Sequence, residues 1–183
     1  MKNLLYIVFA LILFSCNESN LQRIERLTQA WTGKTVYYPV DTVFESFDMD
    51  SVRKYSLKRT DYTVVSYIDS TSCTRSNLKL EKWKEFLSCL KPYGNGKATC
   101  LFFFHPENKG QIVNLLKASR FNYPVCIDED DIFNKLNHFP SDSIFKTFIL
   151  DKDNKIVAMG NPVDDLKIKE LYLNIISGKQ QIQ

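Results

Sequence analysis

Apolar positions fall along this chain in three different rhythms, and each predicts a different kind of element. Leu4 to Phe14 is an unbroken apolar run of eleven residues behind a lone Lys2. It is shorter than the roughly 20 residues a membrane-spanning helix needs and has the proportions of a signal-peptide core. Leu21, Ile24, Leu27 and Trp31 then recur at helical spacing, and Gly33 ends that stretch. Thr35–Val40 and Thr42–Phe47 read as strands, with Pro39 marking an edge position, and Asp48–Thr60 reads as polar connection. Tyr62–Ile68 is β-branched and aromatic throughout, which predicts a buried strand. A helix follows from about Ser76 to Leu90, with Leu80, Trp83, Leu87 and Leu90 on one face, broken by Pro92, Gly94 and Gly96. Thr99–Phe104 is a second buried strand, ending at His105-Pro106. Next come a helix near Lys109–Ser119, a short strand at Tyr123–Ile127 and a short helix over Asp128–Leu136. Phe145–Leu150 and Lys155–Met159 form a hairpin across Asp151-Lys152-Asp153-Asn154. A last helix, Asp164–Ile176, turns Ile168, Leu171, Tyr172 and Ile175 inward before a Gly178 cap.

Strands that alternate with helices pair in parallel through right-handed crossovers, and the closing hairpin must add an antiparallel edge. The pattern therefore predicts an α/β chain with a central mixed sheet and helices on both faces, preceded by an N-terminal helix and strand extension. This arrangement resembles the thioredoxin-like fold. It divides the chain into a leader (1–16), an extension (17–60), a thioredoxin-like domain (61–178) and a tail (179–183).

The leader ends in Leu13-Phe14-Ser15-Cys16, which resembles a bacterial lipobox. That resemblance implies that Cys16 is acylated and becomes the first residue of the mature chain. Each buried methylene of an acyl chain contributes about 0.8 kcal/mol, so a multiply acylated cysteine would hold the protein on a membrane in the cell envelope. Composition narrows the partners. Lys and Arg number 24 against 21 acids, net +3, with the basic residues scattered rather than gathered in a stripe, which argues against nucleic acid. Thirteen per cent aromatics with six Gly and six Pro argue against disorder. His105, His138 and the cysteines lack zinc-ligand spacing. Asp128-Glu129-Asp130-Asp131 fits a helix-dipole complement better than a calcium site. No metal and no cofactor is implied.

Cysteine placement carries the candidate chemistry. Cys89, Cys100 and Cys126 sit among apolar neighbours, where a thiol is usually a small buried hydrophobe, while Cys73 lies in the polar turn Asp69-Ser70-Thr71-Ser72-Cys73-Thr74-Arg75-Ser76. The reactive place of an open α/β sheet is outside the carboxyl ends of its strands. Cys73 is expected there, between a buried strand and a helix N-terminus whose amides and dipole favour the thiolate, the nucleophile of disulfide exchange. Arg75 adds a nearby cation, and His105, ending the next strand, is a candidate proton acceptor. Cys89 stands sixteen positions from Cys73, about 20 Å along a helix and beyond disulfide reach. Cys100 belongs to the far end of the sheet. Cys126 is the remaining candidate partner for Cys73.

Three segments carry a wider resemblance: Val64-Val65-Ser66-Tyr67-Ile68-Asp69-Ser70, Leu78-Lys79-Leu80-Glu81-Lys82-Trp83-Lys84, and Thr147-Phe148-Ile149-Leu150-Asp151-Lys152-Asp153-Asn154-Lys155-Ile156-Val157. From about Lys34 to Gly178 the chain resembles the redoxin-type, thioredoxin-like lipoproteins of Gram-negative bacteria. Its closing hairpin resembles those of extracytoplasmic thiol–disulfide proteins and of the alkyl-hydroperoxide-reductase group. Two departures qualify the activity that this resemblance implies. The Cys-x-x-Cys of active members is here Cys73-Thr74-Arg75-Ser76. Ser76 can cap the helix and hydrogen-bond the thiolate but cannot release a mixed disulfide. Where thioredoxins place a cis-proline, this chain has Ile144-Phe145, with Pro140 too early, and a non-proline cis bond costs about 3 kcal/mol, so a trans peptide is expected.

The reading that follows is a monothiol site. Cys73 would be the nucleophile, Ser76 and Arg75 its supports, and a thiol-bearing protein or small thiol the partner. The alternative is a binding module that kept the fold and lost redox cycling. A peroxidase fits less well, because that group's threonine and proline ahead of the cysteine are missing.

Overall fold

The computed structural model describes residues 20–49, 51–73, 78–93 and 96–179. The chain divides after Trp31. In its first unit, helix α1 (Asn20–Trp31) keeps Ile24, Leu27 and Trp31 half-buried and the rest of its described side chains mostly exposed, as the spacing predicts. No helix among the described residues is long and apolar enough to cross a membrane.

In the second unit, seven strands form one mixed sheet in the order β2-β1-β5-β4-β3-β6-β7. Its centre is β3 (Tyr62–Ile68) beside β4 (Ala98–Phe104), parallel and in register from Tyr62↔Ala98 to Ile68↔Phe104. Parallel partners need a crossover, and α2 (Leu80–Leu90) supplies it. Helix α3 (Lys109–Ala118) leads to β5 (Val125–Ile127), parallel to β4. Helix α4 (Ile132–Asn137) precedes β6 (Thr147–Asp151) and β7 (Ile156–Met159), the antiparallel hairpin that closes on β3. Helix α5 (Leu166–Ser177) ends at Gly178, whose φ of 70° is the left-handed cap a glycine supplies most cheaply.

Both sheet faces are covered. Val64, Phe102, Phe104 and Ile149 pack with Trp83 and Phe86 of α2, Leu116 of α3 and Tyr172 of α5. On the other face Phe133 of α4 stacks on Phe103 at 3.8 Å between centroids and 6° between planes. Tyr38, Tyr67 and Phe139 surround that pair. Asp128 holds α4 in place: its two carboxylate oxygens accept the N–H groups of Ile132 at 2.9 Å and Phe133 at 2.7 Å. The acid run does act at a helix start.

Two expectations need correction. Asp48–Thr60 is not only connection, because β2 (Val52–Tyr55) pairs with β1 (Phe44–Phe47). All four β2 residues are exposed, so hydrophobic alternation could not reveal it; the Asp48–Ser51 turn, closed at 2.9 Å, sets the pairing. Thr35–Val40 contributes a single bridge, Thr35↔Lys155, before its chain turns over the Phe103 face. β5 lies two places from β3 and inside the sheet, since β1 continues it through Glu45↔Val125.

Phe133→Ala should destabilise the chain by about 3–5 kcal/mol, read as a lower urea midpoint with an unchanged slope. A loss below about 1 kcal/mol would mean that the Phe103 face does not depend on this ring.

Candidate functional site

The end of β3 builds the site. After Ile68 the chain passes Asp69 and makes a single turn of 3₁₀ helix, Ser70–Ser72, closed by Cys73 N–H on the Ser70 carbonyl at 3.3 Å. That turn folds Cys73 back over the carboxyl ends of the parallel pair. Its Sγ lies 3.9 Å from the carbonyl oxygen of Ile68, the last residue of β3, and 3.9 Å from that of His105, the residue after β4. The sulfur is half-buried and therefore sits at the rim that the strand–helix pattern predicted.

Its ionisation is the reverse of the expected one. Burial first, then the negative charges of Asp69 and Glu107, push the Cys73 thiol up to about 11. Both oxygens near the sulfur are acceptors, so they serve an S–H donor and oppose a thiolate. The helix expected to run on from this turn is interrupted: Leu78 is helical, Lys79 has φ 48°, and α2 begins at Leu80. A non-glycine residue in the left-handed region interrupts a right-handed helix, so no single helix runs from Ser76 to Leu90.

Arg75 and Ser76, the two supports expected beside Cys73, lie outside the described residues, as does the acylation candidate Cys16. His105 meets the sulfur through its backbone carbonyl. Its ring turns to Asp128, with Nδ1 at 3.0 Å from that carbonyl oxygen. A carbonyl only accepts, so Nδ1 carries the hydrogen in that contact. This geometry gives no ring contact with the thiol.

Cys126 pairs with Phe103 and shares its face, whereas Cys73 packs against the cluster on the opposite face. The sheet lies between them, and all four described cysteines are free. Burial and then Asp128 push Cys126 up to about 11. Cys100 is fully buried opposite Val64 and its thiol is raised by desolvation. Cys89 donates to the Glu85 carbonyl on its own helix at 3.3 Å. His138 caps α4 in a left-handed conformation.

Sequence reasoning missed three charged residues here. Asp69 accepts from Thr71 Oγ1 at 2.9 Å and forms an ion pair with Lys146, both side chains largely shielded from water. Glu107 follows His105-Pro106 at the end of β4 and adds to the negative field on the sulfur. Asp69 was legible as the acid directly before the turn; Lys146 was not, because 77 residues separate it from Asp69. Phe145, where a cis-proline would stand, is buried, and among the described residues every peptide bond is trans, as expected. A cleft of about 250 Å³ opens beside the site between Ile68, Leu78, Trp83 and Thr147.

No family model and no curated protein matches this chain. Solved structures do. A thiol:disulfide interchange protein from Bacteroides sp. superposes with a TM-score of 0.54 at 16% identity, over 82% of this chain and 93% of the other. Peroxidoxin BcpB from Mycobacterium tuberculosis gives 0.53 at 17% identity, over 82% and 98%. A putative thiol-disulfide oxidoreductase from Bacteroides vulgatus gives 0.52 at 17% identity, over 79% and 93%. The fold is thioredoxin-like. Identities this low speak for the fold alone, and the structural neighbours divide between thiol–disulfide oxidoreductases and peroxiredoxin-type proteins.

Because the thiol is protonated at neutral pH, alkylation of Cys73 by iodoacetamide should rise about tenfold per pH unit from pH 7 past 9. Its plateau should come only near pH 11. Asp69→Asn removes one of the negative charges and releases Lys146, so it should move the plateau to lower pH. A wild-type plateau at or below about 8.5, the ordinary thiol value, would contradict the geometry described here.

Proposed function

We propose that this chain is a thioredoxin-fold protein of the bacterial cell envelope, anchored through acylated Cys16, that exchanges disulfides through the single thiol of Cys73. One observation carries the reading: the half-exposed sulfur stands on the first turn after β3, at the carboxyl rim of a thioredoxin-like sheet. The Cys-x-x-Ser sequence and the lipobox-like leader add support.

The step begins when Cys73 loses its proton to solvent, as the raised thiol allows only a small thiolate fraction at neutral pH. The thiolate attacks one sulfur of a partner disulfide. A bond forms between Cys73 Sγ and that sulfur, the partner's own S–S bond breaks, and its second sulfur leaves as a thiolate that takes up a proton. The mixed disulfide persists, because Ser76 offers a hydroxyl where a resolving thiol would stand and Cys126 lies across the sheet. Release comes when an external thiol, or the partner's own leaving thiol, attacks the Cys73 disulfide.

A protonated resting thiol also favours a second reading, a binding module whose cysteine does no chemistry. The two separate on trapping. Incubation with dithiobis(2-nitrobenzoate) should load one thionitrobenzoate on Cys73 and release the other as its thiolate, the adduct, mapped by peptide mass spectrometry, staying until glutathione is added. Ser76→Cys should release that adduct without added thiol and should gain insulin reduction with dithiothreitol as donor. An adduct that never forms on the native chain, with partner capture intact in Cys73→Ser, favours the binding module. The anchor has its own test: Cys16→Ser should move the protein from the membrane fraction to the soluble one.

A further inference from the structure

Eight consecutive residues, Val52 to Arg59, are exposed, and four of them are basic with no acid among them. They begin with β2, the outermost strand on its side of the sheet. Its inner edge pairs with β1, and among the described residues no strand pairs with its outer edge. An open edge of this kind presents backbone N–H and C=O groups ready to accept another strand. Arg59 stands 3.9 Å from Asp153, whereas no acid lies within ion-pair distance of Arg53, Lys54 or Lys58 among the described residues.

The side-chain order along the edge selects what can pair. β2 reads apolar–basic–basic–apolar: Val52-Arg53-Lys54-Tyr55. We propose that this edge binds an extended acidic segment of another protein, added as a further strand whose own order is apolar–acidic–acidic–apolar. Backbone hydrogen bonds supply attachment, and the cross-strand pairs Arg53·acid and Lys54·acid supply selectivity.

Two other occupants fit worse. A second copy of the chain, paired antiparallel through β2, would set Arg53 against Lys54 twice over, and directly opposed like charges repel. A lipid surface needs apolar side chains on one side. Val52 lies opposite Phe47 and Tyr55 opposite Phe44, three positions apart, so the two apolar groups point to opposite faces of the strand. The edge is four strands from β3, so this binding does not depend on the Cys73 chemistry.

The full chain would be titrated with the capped peptide Ser-Val-Glu-Glu-Val-Ser while amide hydrogen exchange is followed by NMR. Slowed exchange confined to β2 and its flanks is expected, and the pair Arg53→Glu with Lys54→Glu should weaken binding about tenfold or more while admitting the counterpart peptide with Lys in place of Glu. The pair Arg53→Gln with Lys54→Gln should fall between, and decides the matter should the reversed pair unfold. Three results would overturn the proposal: no protection of β2 at saturating peptide, equal binding of the lysine peptide to the native chain, or binding of phosphatidylglycerol vesicles, in place of the acidic peptide, that the reversed pair abolishes.

Discussion

The parallel pairing of β3 with β4 is the constraint on which the rest of this molecule depends. Seven residues of each strand lie in register, so both strands end together and present the carbonyls of Ile68 and His105 at one rim. Cys73, directly after the 3₁₀ turn, meets both carbonyls at that end of the pair. The crossover that parallel strands demand places α2 over one face. The other face is left to a short helix and a loop, which fill it with aromatic rings.

Electrostatics at the rim set the character of the thiol. A cysteine at a strand end can be activated by amides and cations or silenced by carbonyls and carboxylates. Here Asp69 and Glu107 add negative charge, and Lys146 is engaged with Asp69. The result is a thiol that rests in its protonated form. Such a thiol reacts slowly at neutral pH, because only its thiolate fraction attacks.

The buried half of the fold was readable residue by residue. Tyr62–Ile68 and Thr99–Phe104 declared themselves as strands because burial on both faces requires continuous β-branched and aromatic side chains. The spacing of Leu80, Trp83, Leu87 and Leu90 declared α2. β2 stayed hidden because an edge strand exposed on both faces carries no such signature. The αL break at Lys79 stayed hidden as well, since nothing in the identity of a lysine forecasts it.

Local chemistry by itself determined the types and order of the buried elements and the position of Cys73 in a turn after a buried strand, because hydrophobic period and turn residues act over a few neighbours. Only the tertiary structure decided the state of the sulfur. The His105 carbonyl, the Lys146 partner of Asp69 and the sheet that parts Cys73 from Cys126 come from elements distant in the chain. Charge and desolvation act through space, and a sequence orders residues only along a line.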